Sequence, residues 1–244
     1  MSDNGNISTY QQQGYQMLKG VLPAAEALAL GRELRELIEN YNRNATWEGE
    51  WLSGEQRERT VLLHLHSPEK YHAGFGRLLF DRRILDPVAK LIGEDIELHH
   101  TKGFVKPPEK GAPFPPHQDY PFFPHQDDRM LAMVLYLSRA SEAMGCIRVW
   151  PGSHKTGPQQ PVPGYKYLDG ADWPPEKALA LPGEPGDAVI FNYLTVHDSG
   201  PNLSADLRVT ILLQLRNVEN RPVNDAHPSF AQGLVLRGKK PVGP

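Results

Sequence analysis

A single cysteine, Cys146, excludes any disulfide within the chain and suits a reducing compartment such as the cytoplasm. No run of about 18 consecutive apolar residues occurs, so no membrane-spanning helix is expected. The first nine residues are polar and lack the apolar core that directs secretion. An excess of positive charge is also missing. Lys and Arg number 26 against 29 Asp and Glu, and a formal charge of −3 gives no footprint for nucleic acid or an anionic membrane. No internal repeat at solenoid spacing and no low-complexity linker interrupts the chain. These absences leave a small molecule as the expected partner of a cytoplasmic monomer or weak homodimer.

Turn formers, by contrast, are plentiful: 22 Gly and 23 Pro in 244 residues point to many short elements. Residues 24–41 read as an amphipathic helix with Leu28, Leu34, Leu37, Ile38 and Tyr41 on one face. A second helical region is predicted over 68–92, broken near Asp81 and ended by Gly93. Beyond it the pattern changes to short runs rich in β-branched and aromatic residues, at 96–105, 130–137, 146–150, 188–196 and 207–215. Helices first and strands afterwards imply an α+β chain, mainly β, whose strand-built half is a sandwich or barrel. We divide it into a helical part at about 10–93, a β core at about 94–218 and a tail at 219–244, all within one domain. Residues 151–185 are too polar and proline-rich for a core and are expected to form a long surface excursion.

Chemistry concentrates at three places. His117-Gln118-Asp119 sets an imidazole and a carboxylate two residues apart, on one side of an extended segment. A second imidazole, His197, lies far downstream, followed by Arg208. Two histidines and a carboxylate form the facial ligand set of a non-haem Fe(II) oxygenase, leaving coordination positions for a chelating 2-oxo acid and O2. Arginine's planar fork suits the far carboxylate of such a cosubstrate. The turn-like 198–202 segment suggests a hairpin in which His197 and Arg208 are cross-strand neighbours, about 5 Å apart at Cβ. Thr210, two residues on, would share their face and add a hydrogen bond.

A competing triplet, His125-Gln126-Asp127, repeats the pattern eight residues later, and composition does not choose between the two. The Asp128-Arg129 neighbour makes the second copy read as a solvated loop. His64 and His66 read as residues of a strand rather than ligands. His99 and His100 would point to opposite faces if extended and so could not share a metal. His154 reads as a brace for its turn, Trp150 as core, and Cys146 as buried and inert. Tyr120, Phe122, Phe123 and Tyr193 are candidates for an apolar substrate wall.

These stretches resemble the phytanoyl-CoA dioxygenase family of Fe(II)/2-oxoglutarate oxygenases over roughly residues 8–216. The resemblance is carried by Lys106-Pro107-Pro108 with Gly111 leading to Pro116-His117-Gln118-Asp119, and by Gly145-Cys146-Ile147 to Pro151-Gly152-Ser153-His154-Lys155. It continues in Gly186-Asp187-Ala188 with Phe191, and in His197-Asp198-Ser199-Gly200 with Asn202 and Arg208. It implies a double-stranded β-helix (a jelly roll, cupin-like) with N-terminal helices packed outside. It implies Fe(II) on His117, Asp119 and His197, because the family's triplet follows a Lys-Pro-Pro turn and precedes an aromatic Phe-Pro step. It further implies 2-oxoglutarate on Arg208, with Lys102 and Ser199 as additional cosubstrate contacts. Met144 departs from the Asn that many relatives carry before the Gly-Cys pair, and 157–185 shows no family pattern.

Halogenating relatives replace the carboxylate ligand with a small residue, so Asp119 implies hydroxylation of an unactivated C–H, with release of succinate and CO2. Desaturation, cyclisation or epoxidation by the same chemistry are the alternatives within the class. A non-catalytic cupin-like binding or sensor protein and a zinc hydrolase are the alternatives outside it. The substrate is expected to be a small molecule, with secondary metabolism the favoured source.

Overall fold

The computed structural model describes residues 3–41, 63–224 and 227–241. Four α-helices, α1 (Asp3–Gln13), α2 (Ala24–Tyr41), α3 (Ala73–Leu78) and α4 (Arg82–Ile92), are described alongside two antiparallel sheets. The larger sheet comprises β1 (Tyr15–Leu18), β2 (Leu63–His66), β3 (Ile96–Lys106), β5 (Met130–Tyr136), β8 (Ala188–Asn192), β10 (Arg208–Asn217) and β11 (Val235–Arg237). Its order is β1-β8-β5-β10-β3-β11, with β2 also paired to β3. The smaller sheet, ordered β4-β9-β6-β7, comprises β4 (Phe114–His117), β6 (Ile147–Val149), β7 (Leu179–Ala180) and β9 (His197–Ser199).

Burial on both faces explains the composition of the large sheet. In β5, Leu131, Met133 and Leu135 face the helices and join Leu34 and Ile38 of α2 and Ile84 and Val88 of α4 in one core. Ala132, Val134 and Tyr136 alternate with them and face the small sheet, packing on Ile147, Val149 and Phe191. A strand covered on both sides has no polar face, hence the unbroken apolar run. The helix boundaries follow local chemistry. Asp81 caps α4 by accepting the Arg83 N–H at 2.8 Å, and Gly93 ends it with φ +97°. On α2 the buried face is Ala27, Leu30, Leu34 and Ile38, whereas Leu28 is 42% exposed and lies off the expected stripe. Tyr41's side chain falls outside the described residues.

The architecture is the expected mainly β, double-stranded β-helix with helices outside, and it departs from the sequence reading in four respects. The helical N-terminal part also supplies β1, beside the strand expected at His64 and His66, and the tail supplies β11, which pairs with β3. The run at 188–196 divides, because Asn192 accepts the Leu194 N–H on its side chain at 2.9 Å and turns the chain toward the small sheet. The expected hairpin between His197 and Arg208 does not form. β9 pairs with β4 and β6, while β10 pairs with β3 and β5 in the other sheet. Pro201 has no N–H for a ladder, and the Asn202 amide donates to Lys106 O at 3.1 Å and Asp206 O at 2.8 Å, fixing the crossing between sheets. Finally, β3 carries a bulge: Gln214 opposes His100 and Leu215 opposes Leu98, leaving His99 without a cross-strand partner. The extra residue brings His99 and His100 to one side, with their Nδ1 atoms 2.7 Å apart, contrary to the opposite faces expected of an extended strand.

Candidate metal centre

His117 ends β4 and sits directly opposite His197 of β9, with ring centroids 4.1 Å apart. Asp119 follows at a 3-10 turn, its N–H donating to Tyr193 O at 3.0 Å. One nitrogen from each imidazole and one carboxylate oxygen all lie within 4.8 Å of one another, with His197 Nε2 3.9 Å from Asp119 Oδ1. Each ring is oriented by the backbone: His117 Nδ1 is 2.8 Å from Pro115 O and His197 Nδ1 is 3.0 Å from Thr195 O. A carbonyl only accepts, so both Nδ1 atoms carry the proton and both Nε2 lone pairs are free for a metal.

Desolvation by burial lowers both histidines to about 4; for His117 the charge of His197 adds to this. Burial raises Asp119 to about 6, and among the described residues its buried Oδ2 has no hydrogen-bond partner. The buried Gln214 amide lies close enough to favour the ionised carboxylate, yet short of a formed hydrogen bond. Two neutral imidazoles and an unsatisfied buried carboxylate fit a divalent cation. The neighbouring Asp198 carboxylate is taken by Arg148 at 2.5 and 2.7 Å.

The same cavity, about 340 Å³, reaches Arg208 and Thr210. Arg208 is 2% exposed; its Nη1 donates to Ser199 Oγ at 2.8 Å and to Gly145 O, and among the described residues its Nε has no partner. Lys106 faces Arg208 across the β3–β10 ladder and donates to Ser199 Oγ at 2.6 Å and Gly200 O at 2.5 Å. Burial lowers Arg208 to about 10 and Lys106 well below the usual lysine range. A buried guanidinium held by neutral oxygens at the cavity wall fits an incoming carboxylate.

Other candidates fall elsewhere. In the second triplet, Asp127 is bound by Arg129 at 2.8 Å, and His125 is 4% exposed rather than solvated, its Nδ1 2.8 Å from Phe123 O. The chain there is tied to 217–222, Gln126 N donating to Arg221 O at 3.0 Å. Phe122 and Phe123 line the cavity. Tyr193 turns into the core and donates to Asp127 O at 3.1 Å, with Tyr120 packed on it at 5.8 Å, so neither tyrosine forms the expected wall. Ser199 lines the cavity with its hydroxyl committed to Arg208, Lys106 and Gly145. Lys102 lines it beside His100 and Phe104, opposite Leu212. His154 braces the loop through Gln11 O at 3.1 Å, Trp150 is core, and burial raises the Cys146 thiol. Sequence reading missed Lys106, which lay in the quoted Lys-Pro-Pro turn, and Gln118, whose amide donates to Gly157 O at 3.0 Å and Leu194 O at 2.6 Å. It also missed Gln214 and His227, for which no pattern stood out.

A double-stranded β-helix enclosing two histidines, an aspartate and a buried arginine defines the class of non-haem iron, 2-oxoglutarate-dependent oxygenases. Residues 10–210 match the family described as phytanoyl-CoA dioxygenase (PhyH), and the chain belongs to that family. It is 30% identical to a probable alpha-ketoglutarate-dependent hypophosphite dioxygenase of Stutzerimonas stutzeri, over 96% of this chain and 86% of that protein. It is 26% identical to a methylphosphonate hydroxylase of Gimesia maris, over 97% and 91%. Among solved structures, the carbocyclase SnoK from nogalamycin biosynthesis superposes with a TM-score of 0.77 at 22% identity, covering 98% of this chain and 94% of that one. The protein is thus an iron- and 2-oxoglutarate-dependent oxidoreductase. Among the described residues no helix is long and apolar enough to cross a membrane.

Proposed function

We propose that His117, Asp119 and His197 hold Fe(II) and that Arg208, with Thr210, takes the far carboxylate of 2-oxoglutarate, for hydroxylation of an unactivated bond in a small polar substrate. The observation that carries this reading is the meeting of three ligand atoms within 4.8 Å in a cavity that also contains a buried guanidinium. When bound, the iron with 2-oxoglutarate and O2 supplies the oxidising power, giving succinate, CO2 and a hydroxylated product. The chain's own residues do the rest. Pro115 O and Thr195 O keep each Nε2 aimed inward, Ser199 and Gly145 hold Arg208 in place, and Phe104, Phe114, Phe122 and Phe123 keep water from the reacting centre.

Ser199 thereby acts as a positioning residue rather than a direct cosubstrate contact. Relatives named for hypophosphite and methylphosphonate support a small, charged substrate. A reducing cytoplasm suits both Fe(II) and the free Cys146 thiol. The test is succinate release by the iron-loaded protein with 2-oxoglutarate, O2 and a panel of phosphonates, phosphinates and small metabolites. Substrate-stimulated release in step with a product heavier by one oxygen is expected. Tight binding of iron and 2-oxoglutarate with no release for any compound would instead support a binding or sensor protein.

A further inference from the structure

The tail brings a third imidazole to the two that the β3 bulge gathers. His99 and His100 are 1% and 3% exposed, with their Nδ1 atoms 2.7 Å apart. His227, half-buried, closes on them from the segment after β10. Its ring centroid lies 4.3 Å from that of His100 and 5.8 Å from that of His99. One nitrogen from each of the three rings lies within 4.8 Å of the others, as in the triad. The chemistry proposed above makes no use of these three residues.

Two further features set the cluster apart from ordinary core histidines. His227 is held at φ +59°, a left-handed conformation that disfavours any residue with a Cβ and persists only where something holds it. Among the described residues, His99 Nε2 and His227 Nδ1 are buried without a hydrogen-bond partner.

We propose that His99, His100 and His227 form a second metal site, apart from the triad, which takes a divalent ion of the zinc kind and ties the tail to β3. The donor set selects the ion. Imidazoles suit Zn(II), Ni(II) or Cu(II), whereas Mg(II) and Ca(II) take oxygen. Burial lowers His99 to about 3 and His100 well below the ordinary range, and moves His227 the same way. All three rings are therefore neutral and able to ligate near pH 7.

The His99–His100 hydrogen bond marks where the ion enters. One Nδ1 there carries a proton and the other accepts it. Zn–N bonds of about 2.0–2.1 Å set ligand nitrogens roughly 3.3 Å apart, so the rings need part by roughly half an ångström. If the proton moves to His99 Nε2, His125 can accept it. The His125 ring is 5.4 Å away, and its Nδ1–H is given to Phe123 O at 2.8 Å, leaving Nε2 as an acceptor. The same backbone arrangement orients both triad histidines. Lys102 acts electrostatically on His100 and His227 and opposes added positive charge, so this ion binds more weakly than one at the triad.

The test is equilibrium dialysis of the metal-free full chain against increasing Zn(II). The parent is expected to take two equivalents, one tight and one weaker. Asp119→Ala, which removes a triad ligand, should keep the weaker one alone. His227→Leu and His99→Leu should each keep the tight one and weaken the other by about tenfold or more. Fe(II) and 2-oxoglutarate affinity of both histidine variants should stay within about twofold of the parent, which also reports that they are folded. In Asp119→Ala, Zn(II) at about a hundredfold excess over its Kd should raise Tm by about 5 °C or more, and adding His227→Leu should abolish that shift.

Three results would overturn the inference. The parent could take one equivalent and Asp119→Ala none. A second equivalent could survive both His227→Leu and His99→Leu, which would place it elsewhere on the chain. The Tm shift could persist when His227→Leu is added to Asp119→Ala, so that the ion would not be fastening the tail.

Discussion

Arg208 Nη1 donates to Ser199 Oγ over 2.8 Å, although the two residues belong to strands of different sheets. The same oxygen accepts from Lys106 at 2.6 Å, and the hydroxyl gives its own proton to Gly145 O at 2.8 Å. The arginine is thus held before any ligand arrives, which lowers the entropy lost on binding. Arg208→Ala should weaken 2-oxoglutarate by about 10- to 100-fold, with Fe(II) affinity unchanged. Ser199→Ala should weaken it less, because Gly145 O still holds the guanidinium. Titration of both ligands checks this, and loss of iron in step with 2-oxoglutarate would make Arg208 a support of the fold rather than a cosubstrate contact.

Gly145 carries that anchor in a conformation that a side chain cannot share. Its φ is +67°, and an added Cβ would lie 2.1 Å from Gly200 O. Gly145→Ala should therefore lose about 2 kcal/mol or more of stability and weaken 2-oxoglutarate as the loop moves. Gly157 is the control: φ is +71°, but nothing lies within 4 Å, so Gly157→Ala should show only the backbone cost. Denaturant unfolding separates the two, and equal losses would show that the contact with Gly200 is unimportant.

The two His-x-Asp triplets separate by what their carboxylates already touch. Asp127 accepts the Arg129 N–H at 2.8 Å and pairs with its guanidinium at 2.8 Å. Among the described residues Asp119 Oδ2 has no partner. Asp119→Ala should abolish stoichiometric iron, while Asp127→Ala should keep it and lose no more than about 1 kcal/mol of stability, as for a partly exposed pair. Metal analysis of the purified variants decides, and the opposite pattern would move the centre to the second triplet.

Much of this was legible because it depends on local chemistry. The Asp81 cap, the Gly93 stop and the apolar run of β5 are set by neighbouring residues and by burial on both faces. The meeting of His117, Asp119 and His197 was legible from residue types and family likeness, but not from the hairpin geometry used to join His197 to Arg208. Strand-pairing arithmetic presupposes that consecutive strands pair, whereas here Pro201 and the Asn202 side chain carry the chain from one sheet to the other. The β3 bulge is equally silent. One unpaired residue, His99, moves His100 into a cluster that alternation forbids, and nothing in His99-His100 marks it. His227 reaches the cavity from the tail, where tertiary contacts alone determine its position.

Lys102 offers a test in which stability depends on pH through one buried group. Burial lowers it from 10.5 to about 8, so the fold disfavours its charged form. Below pH 8 the lysine is charged both folded and unfolded, and the whole penalty, about 3 kcal/mol, opposes folding. Between 8 and 10.5 the folded state gives up its proton first and stability rises; above that range the penalty is gone. Around it stand His64 and His66 of β2, His100 of β3, His227 and the Phe104 ring 5.2 Å away. Lys102→Met should therefore be more stable than the parent at pH 7, by about 1–3 kcal/mol, and no more stable near pH 10.5. If Lys102→Met were instead destabilised at pH 7, contacts of the ammonium within the fold would outweigh the burial penalty.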